Sequence, residues 1–183
     1  MLAPAKSVSV EAFEAFINLP ENADRIFQLI GGEIVEAPSN IASSHISSRI
    51  NRRMGNFVED RELGYITGEA GGYTVSGERY APDVAFIAKP KTLTTEWFAP
   101  FPPDLAVEVD YPSSLESRRI LSIKIPNYLL AGVVVWVVYP QERLVHVYEP
   151  TQPVKILGEN DTLDGGRVLP GFTLLVKDIF DWK

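Results

Sequence analysis

The sequence predicts an α/β fold: one domain over residues 1–183, with its core at about 25–180, built as a mixed β-sheet flanked by helices. Three observations carry this expectation. The run VVVWVVY at Val133–Tyr139 is the most continuous apolar segment, the pattern of a central strand buried on both faces. Two other short apolar segments, Asp83–Ala88 and Leu105–Asp110, carry acids and read as strands. Segments of helical period lie before and after that pair, at Asn40–Arg61 and within Leu115–Ala131.

Taken in order, Ser9 caps a first amphipathic helix, VEAFEAFINL. Arg25–Ile30 and Glu33–Ala37 flank Gly31-Gly32, a two-residue hairpin signal. In the next helix Ile46, Ile50, Met54 and Phe57 share an apolar side, while His45, Arg49, Arg52 and Asn56 form a polar stripe. Tyr65–Thr67 and Tyr73–Val75 read as strands interrupted by Gly71-Gly72, and a proline-rich loop around Pro100–Pro103 separates the two acid-bearing strands. Gly132 ends the helix that follows them. Pro126 either kinks that helix or starts it, because proline cannot donate to the carbonyl four residues back. Leu144–Tyr148 and Val154–Leu157 are expected as edge strands, Asp164-Gly165-Gly166 as a turn, and Val176–Phe180 as a short closing helix.

A chain of 183 residues with 45% apolar content can bury a substantial core. Its net charge of −7 argues against non-specific DNA binding through a broad basic surface, so any phosphate contact needs local positive charge or a metal ion. The absence of cysteine excludes disulfides, thiolate nucleophiles and Cys-based zinc sites, and His45 and His146 are too few for a multi-histidine centre. Metal chemistry would therefore run on oxygen ligands, which favours Mg²⁺ or Mn²⁺. No apolar run suits a membrane span and the N-terminus has no signal-peptide pattern, so a cytoplasmic location is expected.

Asp83, Glu108 and Lys124 supply, in order, the acid, acid and amine of a metal-dependent phosphodiesterase. In Leu105–Asp110 the side chains alternate, so Glu108 shares a face with Ala106 and Asp110. A glutamate amid valines is costly unless it is paired, metal-bound or near water; an alternating strand with one solvated face gives the same pattern. Lys124 shares its helix side with Ile120, Leu121, Tyr128 and Ala131, and either snorkels to water or points at the carboxylates. His45 could touch a phosphate or carry a proton, with Arg49 and Arg52 adding phosphate affinity. A solvated helix face accounts for the same stripe. Glu33, beside the Gly-Gly turn, either completes a metal shell or is simply exposed.

The ordered segments FQLIGGEIVEAPS, His45, GEAGGYTV, ERYAPDVAFI, PPDLAVEV, KIPNYLLAGVVVWVVYP, RLVHVYEP and LDGGRVLPGFTLLVKDIF resemble the Uma-type restriction-endonuclease family. That family is PD-(D/E)xK nuclease-like and abundant in cyanobacteria, and the resemblance spans about Phe27 to Phe180. It implies a restriction-endonuclease-like core, with Asp83 and Glu108 as the metal-binding acids and Lys124 as a lysine moved from the strand to the following helix. It also implies that Glu33 and His45 match further acidic and histidine positions. Three departures stand out: Tyr111-Pro112 replaces the usual Ser-Pro, the stretch between Glu108 and Lys124 is slightly longer than the family norm, and Asp110 occupies the ordinary lysine position of a (D/E)xK strand. The expected function is a divalent-metal-dependent DNA endonuclease that hydrolyses phosphodiester bonds, with a homodimer suited to cutting both strands. The alternative is an inactive nuclease-fold domain that binds nucleic acid or protein.

Overall fold

The computed structural model describes residues 7–37 and 40–181. The first six residues, on which the expectation about a signal peptide bears, and Pro38-Ser39 of the family-like segment lie outside the described residues.

Helix α1 (Val10–Ile17) is capped as expected, with the Ser9 hydroxyl accepting from the Ala12 amide at 3.2 Å. A 3₁₀ turn at Pro20–Asn22 leads to the hairpin of β1 (Phe27–Ile30) and β2 (Glu33–Glu36). Gly31 and Gly32 both have positive φ, 59° and 75°, which a tight turn between twisted strands requires. Helix α2 (Ile41–Asp60) starts where the Asn40 side chain accepts from the Ser43 amide at 3.0 Å. Five strands follow: β3 (Gly64–Gly68), β4 (Gly72–Val75), β5 (Glu78–Tyr80), β6 (Val84–Ala88) and the short β7 (Phe98–Ala99). After them come β8 (Leu105–Val109), α3 (Leu115–Leu130), β9 (Val134–Tyr139), β10 (Leu144–Tyr148) and β11 (Lys155–Leu157). The chain closes with β12 (Thr162–Asp164), β13 (Thr173–Leu175) and α4 (Val176–Ile179).

The larger sheet has the order β11-β10-β9-β8-β6-β3. It is mixed because β8 and β9 run parallel, whereas its other neighbours are antiparallel. Parallel neighbours need a long crossover, and α3 provides it. The apolar run at β9 sits inside this sheet, buried on both faces as expected. β10 is not an edge strand: β11 pairs outside it and takes the exposed position. Its alternating burial comes from its outer face, not from a free edge.

A second sheet, β2-β1-β5-β4-β7, draws off the first hairpin, and β12 pairs with β13 in a third. The sequence pattern suggests one sheet because β5 and β7 are only three and two residues long, too short for a periodic signal. On one face of the larger sheet, Ile46, Ile50, Met54 and Val58 of α2 pack on Val84, Phe86, Val107 and Trp136. On the other, Leu121 and Tyr128 of α3 and Tyr73, Val75 and Tyr80 of the second sheet cover Ala85, Ala106, Val135 and Val137. Phe57 is only partly buried and packs edge-on to Phe172 at 5.5 Å; Val58 takes the deep position.

Helix α3 is continuous through Pro126, which excludes a start at that proline. Pro126 and Ser122 are exposed, so the Ser122 carbonyl left without its helical donor meets water. Gly132 then stops the helix with φ +83° and open space where a Cβ would lie. Gly132→Ala is therefore expected to cost about 1–2 kcal/mol from backbone conformation alone, with no packing penalty, in urea unfolding.

Candidate active site

The β6–β8 register builds the site. Val84 lies opposite Val107 and Ala85 opposite Ala106, so one step further sets Asp83 across from Glu108. Both side chains follow Ala85 and Ala106 to the α3 side of the sheet. Asp83 is held there by the Val109 amide, which donates to its Oδ2 at 2.6 Å. Pro82 just precedes β6, where a missing amide donor disrupts no ladder.

Helix α3 brings the amine. Leu121, Lys124 and Tyr128 share one helix face and are the buried residues of α3. Lys124 is 2% exposed, so it does not snorkel. Its Nζ lies 2.6 Å from Glu108 Oε1 and donates to Gln28 Oε1 at 3.1 Å. Tyr128 donates to the same Glu108 oxygen at 2.9 Å, and the ammonium also sits 5.4 Å from the centre of the Tyr80 ring. Gln28 Oε1 accepts a second bond, from the Ala81 amide at 2.9 Å, which ties β1 to the chain entering β6. The buried pair thus joins α3, the larger sheet and the smaller one.

A cavity of about 160 Å³ opens over these groups, lined by Gln28, Glu69, Asp83, Glu108, Asp110 and Lys124 among others. Burial, then the charge of Glu108, pushes the Asp83 carboxyl up to about 7; the Val109 amide and Lys124 pull the other way. Burial and the adjacent Glu108 also raise Tyr128 well above the ordinary phenol value, which keeps it a hydrogen-bond donor. Asp110 is 4% exposed. Its Oδ2 accepts from the Ser113 hydroxyl at 2.7 Å, while its Oδ1 is the one buried side-chain polar atom among the described residues without a partner.

The structure therefore brings together Asp83, Glu108 and Lys124, three of the residues singled out from sequence. It does not bring Glu33 or His45 to the same cavity. Glu33 is at the start of β2, its side chain 57% exposed, in an ion pair with Arg119 of α3 at 2.7 Å. His45 is exposed on α2. Arg49 of the same stripe donates to the Asp178 and Asp181 carbonyls and so anchors the C-terminal segment. Sequence reading missed Gln28, Glu69 and the hydrogen bond of Tyr128. Gln28 was visible as an amide inside the apolar strand FQLI; Glu69, in a Gly-rich turn, carried no signal.

Two carboxylates on adjacent strands suit a hard divalent cation, which prefers oxygen ligands and retains water where protein ligands are few. Glu108 Oε2 and Asp83 Oδ1 accept no hydrogen bond from any described residue, so each carboxylate has an oxygen to offer. Among the described residues no group of three or more His, Cys, Asp or Glu side chains converges to hold a metal ion. An ion here would rest on two side chains completed by water.

The mixed sheet with flanking helices is an α/β fold that carries a carboxylate pair at one cavity. A model of the Uma2 family, described as "Putative restriction endonuclease", matches residues 13–177, and the chain belongs to that family. The chain is also similar to a crystal structure of a "putative nuclease belonging to DUF820" from Anabaena variabilis ATCC 29413. The two share 21% identity with a TM-score of 0.78, over 92% of this chain and 97% of that one, a likeness of fold. No curated protein matches the chain.

Removing one member of a buried ion pair leaves the other unpaired, so Lys124→Met is expected to cost about 3–5 kcal/mol in urea unfolding. Adding Glu108→Gln should recover much of that loss. Asp83 has a testable sign as well. Its folded carboxyl keeps a proton that the unfolded chain releases between about pH 4 and 7. Stability is thus expected to fall as pH rises through that window, by on the order of 4 kcal/mol for this group, and then to level off. Asp83→Asn should flatten that segment of the stability profile.

Proposed function

We propose that this protein is a divalent-metal-dependent DNA endonuclease that hydrolyses phosphodiester bonds. The observation that carries the reading is the convergence of Asp83, Glu108 and the Lys124 ammonium on one cavity. Membership of a restriction-endonuclease family supports a nucleic-acid substrate. Among the described residues no helix is long and apolar enough to cross a membrane. The proposal includes a cytoplasmic setting, and two copies where both strands of a duplex are cut.

In this reading Asp83 and Glu108 hold Mg²⁺ or Mn²⁺. An ion held there would supply positive charge against the phosphate and would acidify the attacking water. Hydrolysis adds the water oxygen to phosphorus and breaks the bond to one sugar oxygen. Lys124 serves in two ways: its fixed ammonium sets the orientation of Glu108, and its positive charge beside the reacting phosphate stabilises charge built up in the transition state. Tyr128 holds Glu108 from the other side, and Gln28 keeps Lys124 from swinging away. Apolar walls at Ile26, Ile30, Val35 and Ile120 limit water around the centre. Asp83 must shed its proton to bind the ion, so metal affinity is expected to weaken as pH falls below about 7.

The alternative, an inactive nuclease-fold domain that binds nucleic acid or protein, draws support from Lys124 already neutralising Glu108 and from the carboxylate at Asp110. Plasmid cleavage with Mg²⁺ or Mn²⁺ separates the readings. The hydrolytic reading expects nicking or linearisation, with Asp83→Ala and Glu108→Ala each slowing it about a hundredfold or more. Calorimetric titration with Mn²⁺ should give heat that either substitution removes. Cleavage unchanged in both variants, or no metal heat in the wild type, would defeat it.

A further inference from the structure

Asp83 and Glu69 line a second cavity as well as the first. This second space, about 280 Å³, lies between α2 and the end of β3. Its α2 wall includes Ser44, Ser48, Asn51 and Arg52, spaced as i, i+4, i+7 and i+8 along one helix face. That wall differs in chemistry from the acidic one it faces. Asn51 donates to the Thr67 carbonyl at 3.3 Å and fixes the helix against β3. The hydroxyls of Ser44 and Ser48 form no hydrogen bond with a described residue, so their donors are unspent. Gly68 completes the floor without a side chain to fill it.

Arg52 is the telling group. Of the ten arginines in the sequence, eight hold a carboxylate, carbonyl or hydroxyl within the protein. Arg52 and Arg53 have no hydrogen bond or ion pair among the described residues. Arg53 lies on another side of α2, over a separate surface hollow formed with Phe172 and Leu174. Arg52 alone joins an unspent guanidinium to the cavity that contains Asp83. In a chain of net charge −7, a local donor set of this kind is what an anionic strand requires.

We infer that this second cavity is a seat for the phosphodiester backbone next to the scissile bond, gripped from α2 by Ser44, Ser48 and Arg52. The inference rests on the nuclease reading for the identity of the strand. On that reading Asp83 and Glu108 would hold the cation while the α2 wall takes the neighbouring phosphate, so the strand passes Asp83 between an acidic and a basic wall. Arg49, the other basic residue of the same helical stripe, is spent on the C-terminal carbonyls and makes no phosphate contact.

The experiment is binding of a fluorescein-labelled DNA oligonucleotide, duplex and single-stranded, followed by anisotropy in Ca²⁺ over about 50–200 mM salt. Arg52→Ala should weaken binding several-fold and make the plot of log affinity against log salt shallower by about one contact, a slope change of about 0.9 for duplex or 0.7 for single strand. Arg52→Lys should keep the slope. Arg53→Ala, which removes the same charge from the same helix, should leave both affinity and slope nearly unchanged. Equal effects of Arg52→Ala and Arg53→Ala, no effect of either, or no DNA binding by the wild type would each overturn the inference. Both arginines are exposed, and thermal melts monitor folding of the variants. Mn²⁺ titration keeps the two proposals apart. Normal metal heat in Arg52→Ala with lost DNA affinity supports the seat, whereas loss of DNA affinity in a protein without metal heat leaves the seat standing and removes only hydrolysis.

Discussion

The contact between Lys124 and Glu108 organises this molecule. An ammonium and a carboxylate, both nearly shut off from water, are tolerable only because each has further partners: Gln28 and the Tyr80 ring for the amine, Tyr128 for the acid. Those partners come from α3 and from the smaller sheet, while Glu108 itself belongs to the larger one. The pair consequently specifies how three elements meet, as well as lending charge to a cavity. A hydrophobic pair of similar volume could fill the space, but it would not define where α3 stops turning relative to β8.

Around that contact, the carboxylates are set by strand register. Asp83 faces Glu108 because β6 and β8 are antiparallel neighbours, and the Val109 amide bridges the gap. Burial first, and the neighbouring Glu108 charge second, appear as the raised Asp83 carboxyl. A proton relieves that cost, and under the proposed function a bound cation would compete with it. Asp83 lies between the cavity that holds Glu108 and Lys124 and the hydroxyl- and guanidinium-bearing cavity beside α2, which under the proposals above would be the chemical and the strand-holding sides.

Much of this was legible in the chain. VVVWVVY reads as a buried strand, and Gly31-Gly32 and Gly132 mark turns whose positive φ excludes most other residues. Asp83, Glu108 and Lys124 stood out because charged groups inside apolar runs need a reason. The polar stripe on α2 was visible too, but its division of labour was not. Arg49 and Arg52 are one turn apart, yet one secures the C-terminus and the other lines the cavity beside Asp83. Glu33 pairs with Arg119 across 86 positions of chain, a contact for which no local pattern exists. Strands β5 and β7 escaped notice because two or three residues carry no periodicity.

By itself the sequence determined the kinds of element, the central strand and the chemical types available, since these depend on local backbone preference and on the cost of burying charge. Only the tertiary structure decided that the amine turns inward instead of reaching for water, that the first hairpin joins a second sheet, and that Gln28 and Tyr128 complete the pair. Those outcomes depend on contacts between residues 16 to 96 positions apart, and the energy of such a contact exists only once the chain has closed around it.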